Sequence, residues 1–167
     1  QQGIAGQLDF QQIVDLVGDK LREVFRTGDM GIRWWDPERR KLHRIYGYEH
    51  GKRLPAYVHD IPPGHPAQRI LEHRETLVLN SQAEQVAAGV HGPSPGTDWS
   101  KSVCAVPIVG RDRVLGFVVL ENFERDGAFG PAEVRLLQTV ASSLGVALES
   151  ARLFDETQRL FKQSEQR

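Results

Sequence analysis

From Phe10 to Phe25 apolar residues recur at helical spacing. Phe10, Ile13, Val14, Val17, Leu21, Val24 and Phe25 fall on one face and predict a helix over Phe10–Thr27. Asp9 followed by Gln12 is a capping-box pattern, Leu8 and Ile13 stand where a hydrophobic staple would, and Gly28 is a natural stop. The pattern then changes to strand type. Met30–Asp36 and Lys41–Tyr48 read as two strands around an Asp36-Pro37-Glu38-Arg39 turn. Trp34 and Trp35 are adjacent, so a strand sends them to opposite faces, and one needs cover from a loop, a ligand or a partner. Ala56–Ile61 predicts an edge strand ended by Pro62-Pro63-Gly64. Pro66–His73 predicts a short helix, and Thr76–Leu79 a brief strand. Asn80 to Ser100 has weak periodicity, with a helical turn at Gln82–Ala88 and the run Gly92-Pro93-Ser94-Pro95-Gly96. A connection of that length is a lid, a binding loop or a disordered segment, and Ala87–Gly96 is expected to be its most mobile part. Ser102–Val109 and Val114–Asn122 form a hairpin in which Gly116 permits close backbone packing.

The last predicted helix opens at Pro131 and runs to about Glu165, roughly 50 Å at 1.5 Å per residue. Leu137, Val140, Leu144, Ala147, Ala151, Phe154, Gln158 and Phe161 step along it by three and four, through Gly145. One small domain cannot cover that length. The charged, Gln-rich second half around a narrow seam has the pattern of a coiled coil. Leu137, Val140, Leu144, Ala147, Ala151, Phe154 and Phe161 are therefore the expected homodimer interface, which the first helix could complete as a four-helix bundle.

Composition adds exclusions. The 167 residues suit one domain, and a net charge of -1 offers no bulk field for nucleic acid. No apolar run reaches membrane-spanning length. The single cysteine, Cys104, excludes an internal disulfide and any zinc site drawing two thiolates from this chain. A lone free thiol fits a reducing compartment, so the expected location is cytoplasmic. The N-terminus lacks the basic start and apolar stretch of a signal peptide, and without an initiator Met the chain is expected to be a piece of a longer polypeptide. Of six histidines, His59, His65 and His73 lie nearest one another, with Asp60 beside the first, but no two lie four apart; exposed loop histidines, with no metal site, are the expectation. Ser94, Ser100 and Ser102 lack a nucleophile elbow, no phosphate-binding glycine motif is present, and Arg39-Arg40-Lys41 reads as a solvated hairpin tip.

The segments Met30-Gly-Ile-Arg-Trp-Trp-Asp36, Ser102-Val-Cys-Ala-Val-Pro-Ile-Val109 with Leu115-Gly-Phe-Val-Val-Leu120, and Phe129-Gly-Pro-Ala-Glu-Val-Arg-Leu-Leu137 resemble, in order and spacing, the opening strand, central hairpin and last-helix start of a GAF domain. The tail Ala147 to Gln158 resembles the linker helices that join such modules to histidine kinases or nucleotide cyclases. The resemblance implies an α+β fold: a central antiparallel sheet of five or six strands, terminal helices on one face, and a short helix and loops closing a pocket on the other. It also implies a domain over residues 1–154, with 155–167 beginning a signalling helix to an output domain in the full-length chain. Asn122 and Phe129 match the cyclic-nucleotide-binding type, but its Lys and its Asp-Glu pair are missing. The pocket helix, Ile70-Leu71-Glu72-His73, has no bilin-attaching Cys. One cysteine is too few for the free methionine sulfoxide reductase type.

The function expected is thus a non-catalytic sensory module that binds an unidentified small ligand, with no cofactor specified. A ligand-free dimerisation module and an enzyme using Cys104 are the alternatives. Candidate ligand-binding residues are Trp34, Trp35, Tyr46, Tyr48, Ile70, Trp99, Ser102 and Cys104, with the sheet face that looks into the pocket left open.

Overall fold

A computed structural model describes residues 9–26 and 28–165; Leu8 and Thr27 lie outside the described residues. The first helix, α1 (Phe10–Phe25), starts with the expected capping box: Gln12 N donates to Asp9 Oδ1 at 2.8 Å and Asp9 N to Gln12 Oε1 at 3.0 Å. It ends earlier than Gly28, because Arg26 takes the left-handed conformation.

The strands β1 (Met30–Asp36) and β2 (Lys41–Glu49) form the first hairpin. Two short strands follow, β3 (Lys52–Arg53) and β4 (Tyr57–His59), both paired with β2. Next come α2 (Ala67–His73), β5 (Leu77–Leu79) and α3 (Gln82–Ala88). The chain closes with the hairpin β6 (Ser102–Val109) and β7 (Val114–Asn122), then α4 (Pro131–Glu165). The sheet is antiparallel in the order β3-β2-β1-β7-β6-β5, with β4 beside β2. Seven strands replace the expected five or six; the two-residue β3 is too short to leave a periodic signal.

Two bulges decide which side chains face which layer. Ile32 and Arg33 of β1 pair with Tyr46 and Arg44 of β2, so Ile45 is an extra residue. Leu42 and Arg44 therefore point to one face, and Tyr46 and Tyr48 to the other. In the second hairpin Ile108 pairs with Gly116 and Val109 with Val114, which makes Leu115 the extra residue.

The terminal helices cover one face. Val14 and Leu21 of α1, and Leu137, Ala141, Leu144 and Leu148 of α4, are buried against Ile32, Tyr46, Val106, Val118 and Leu120. The other face carries a smaller core of Trp35, Leu42, Leu71, Leu77, Val114 and Phe117. The two tryptophans do diverge: Trp34 meets Phe10 of α1 edge-on at 4.7 Å, and Trp35 packs in the second core. Gly116 has the expected role, since a β-carbon there would collide with the Arg33 carbonyl of β1. Gly145 likewise lets α4 lie against the Val109 carbonyl.

α4 corrects the expected interface. Leu137, Leu144 and Ala151 are buried within this chain, on the stripe that covers β6. Val140, Ala147 and Phe154 are half-buried. The apolar surface left open is a neighbouring stripe. Val146, Leu153 and Leu160 are seven residues apart and 70%, 37% and 61% exposed, and Phe161 lies alongside at 59%. The sheet takes Leu137, Leu144 and Ala151 from the stripe that the sequence pattern assigns to a partner, while Phe161 of that stripe stays exposed.

Candidate functional site

A cavity of about 520 Å³ lies between the sheet and the cover formed by α2, α3 and the segments around them. That volume is within the range of small-molecule sites, about 300–1,000 Å³. Its floor comes from four adjacent strands. Gly31 and Arg33 of β1, Arg44 of β2, Ala105 of β6, and Val119 and Glu121 of β7 all line it. Ile70 of α2, Gln85 of α3 and Trp99 close it from the other side.

Of the eight residues expected to bind ligand, two line this cavity, Ile70 and Trp99. The other six leave the candidate site. The bulge at Ile45 turns Tyr46 and Tyr48 toward α1, where Tyr46 donates to Asp19 Oδ1 at 2.6 Å and the Arg22 guanidinium sits 3.6 Å from the Tyr48 ring centre. Trp34 lies against α1, and Trp35 is buried under Arg40 in the second core, off the cavity lining. Ser102 and Cys104 share a strand face as their spacing requires, but it is the face under the terminal helices. Ser102 Oγ donates to Arg125 O at 2.7 Å, and Cys104 is fully buried. Burial pushes the Cys104 thiol up to about 12, so it stays protonated and inert as a nucleophile near neutral pH.

The polar residues of the floor were not among the expected ones. Arg33 and Arg44 are directly cross-strand partners. Gly31 makes room for the first: a β-carbon there would stand 2.6 Å from Arg33 Nη1. The Arg33 side chain makes no hydrogen bond or ion pair with any described residue. Burial, and then the neighbouring Arg44 charge, lower its pKa to about 10. Arg44 is buried; Nη1 donates to Pro55 O at 3.2 Å, while its Nε has no partner. Burial also holds the Glu121 carboxyl above its ordinary range, although the Arg33 charge opposes this. The one trace of these residues in the sequence is Arg33 standing between Ile32 and Trp34 in β1; Arg44 stands in the mixed strand β2 beside His43 and does not stand out.

The histidines also depart from expectation. His59 and His65 are half-buried on the cavity wall, and burial lowers the pKa of both, so they are neutral at pH 7. His59 Nδ1 lies 3.2 Å from Asp60 O, which leaves Nε2 as a buried acceptor with no partner.

The segment after α3 is fastened at one end. Trp99 Nε1 donates to Gln85 Oε1 at 3.0 Å, and Gln85 Nε2 donates to Ser100 O at 3.0 Å. Asp98 N donates to Glu49 Oε2 at 2.9 Å, and the Asp98 carboxylate lies 2.8 Å from His50 Nε2. Among the described residues Glu49, His50 and Asp98 are the one grouping close enough to share a metal ion. Their short hydrogen bonds to one another read instead as a latch between β2 and the loop.

The comparisons agree with this architecture. A domain of a methyl-accepting chemotaxis protein, residues 122 to 287, is similar at 17% identity over 92% of this chain and 96% of that one, with a TM-score of 0.74. The GAF domain/HD domain protein from Geobacter sulfurreducens gives 20% identity, 90% and 99% coverage and 0.68. The GAF domain of an Acinetobacter phosphoenolpyruvate-protein phosphotransferase gives 15%, 91% and 89%, and 0.67. At these identities the likeness concerns the fold alone. No curated protein matches. The family profile described as GAF domain matches residues 7–149, most of the chain. With the strand order, the terminal-helix layer and the covered cavity described above, this chain belongs to the GAF domain family.

Proposed function

We propose that this chain is a sensory, non-catalytic module of a larger cytoplasmic signalling protein, that its cavity takes a small ligand, and that α4 carries the response as one helix of a homodimer. The observation that carries the reading is the cavity's position. Its floor is the sheet whose reverse face packs on the terminal helices. Ala105 lines the cavity while its neighbours Cys104 and Val106 lie in the core beneath those helices, so a ligand is one strand's thickness from the output element. Such a ligand transmits only if it binds two arrangements of the helices with different affinity. The solved chemotaxis-protein domain of the same fold supports a signalling context.

The open stripe of Val146, Leu153, Leu160 and Phe161 supports the dimer. Seven-residue spacing keeps these residues at one heptad position of a helix–helix seam, and burying each aliphatic side chain is worth roughly 1.5–3 kcal/mol. Ala105→Trp tests the ligand reading. The bulky side chain fills the cavity from its floor, and the variant is expected to lose a small molecule that the native protein retains in a gentle native mass spectrum. A native protein that carries nothing favours the ligand-free dimerisation module.

A further inference from the structure

We infer that the cavity recognises a singly charged organic carboxylate, held by Arg33 and Arg44. This deepens the sensing proposal and rests on it. Two guanidinium groups stand opposite each other on neighbouring strands, an arrangement that opposes folding unless something offsets it. The surrounding residues offset it only in part. Arg33 has no hydrogen-bonded or ion-paired partner among the described residues, and Arg44 leaves Nε unpartnered at 5% exposure. Glu121 is the floor carboxylate coupled to both, yet it forms no ion pair with either among the described residues. Glu49 also acts on Arg44 through its charge, but it forms no ion pair with either arginine among the described residues, and its Oε2 accepts from the Asp98 amide.

Unpaired buried cations are costly, and proteins retain them where a ligand supplies the counter-charge. The guanidinium fork matches a planar carboxylate through two parallel N–H···O bonds. Phosphate shares that chemistry, but a second negative charge beside Glu121 and Glu49 would meet repulsion. The apolar part of the lining, with Ala67, Ile70 and Val119, suits a hydrocarbon or aromatic body.

The test pairs acids with their neutral counterparts. Benzoate, phenylacetate, indole-3-acetate and octanoate are titrated into the protein at constant ionic strength, each beside its primary amide, with phenylphosphonate as the phosphate-like arm. Thermal unfolding and calorimetry are read on native protein, Arg33→Gln and Arg44→Gln. The expected result is stabilisation by at least one acid and not by its amide. In Arg33→Gln the affinity for that acid falls about 10- to 100-fold, as expected for lost charge-assisted hydrogen bonds. Without ligand, Arg33→Gln is expected to melt higher than native protein, because the substitution removes an unpaired charge opposite Arg44. That sign keeps the test informative even before the best acid is found.

Amides that bind as well as their acids overturn the carboxylate assignment and leave ligand sensing standing. Preference for phenylphosphonate over every acid also overturns it. If no compound binds and Arg33→Gln melts lower than native, the assignment fails on both counts. Native mass spectrometry then decides separately whether the cavity holds anything else.

Discussion

At Tyr46 one hydroxyl joins helix to sheet. It donates to Asp19 while the ring lies beneath Gly18, where any β-carbon would strike it. Tyr46→Phe removes a hydrogen bond to a charged group and is expected to destabilise the fold by about 1–2 kcal/mol in denaturant unfolding. An unchanged midpoint would show that the bond contributes nothing. Cys104 is expected to resist alkylation under native conditions and to react once the chain unfolds; rapid native labelling would reopen the thiol's chemistry. His50 is the titrating member of the latch. Its hydrogen bond to Asp98 is the main cause of a raised pKa, with Asp29, Glu49 and Asp98 adding charge. The latch's contribution is therefore complete below about 6.5, the ordinary histidine value, and is lost as pH rises through the higher folded-state value. An NMR titration should place His50 above an ordinary histidine, and Asp98→Asn should bring it down. A midpoint indifferent to Asp98→Asn contradicts the latch.

Element by element, the helices and the two long hairpins were legible because each carries a clean period. The capping box of α1, the Pro131 start of α4 and the divergence of the tryptophans follow from local rules. Two things were not legible, and both have a physical cause. A bulge reverses side-chain parity for every residue beyond it, so Tyr46 and Tyr48 left the cavity face while Arg44 stayed on it. A helix with apolar residues on two adjacent stripes does not reveal which stripe its own sheet will cover. Leu137, Leu144 and Ala151 are buried within this chain, so the dimer proposed above would pair through Val146, Leu153 and Leu160. Leu153→Glu with Leu160→Glu is expected to leave the fold intact and to give monomers by sedimentation. Leu144→Glu is expected to abolish folding. A native protein that sediments as a monomer at high concentration contradicts the dimer. The loop divides similarly: 98–100 is pinned by Gln82, Gln85 and Glu49, so fast hydrogen exchange is expected to be confined to 91–96.

For the whole molecule, the sheet is a shared wall. One face builds the core with the terminal helices, and the other floors a cavity with two cross-strand arginines that form no ion pair among the described residues. The family and the layer order were readable from the order of weak motifs, while the polar floor was hidden because two arginines in strands look like solvent-facing residues until the sheet is assembled. The central claim is that this cavity takes a small molecule, and a native mass spectrum of freshly purified protein beside Ala105→Trp tests it most directly. The account predicts a retained mass on the native protein, displaced on mild denaturation and absent from the folded variant. A bare polypeptide mass for the native protein, or the same adduct on both, would contradict it.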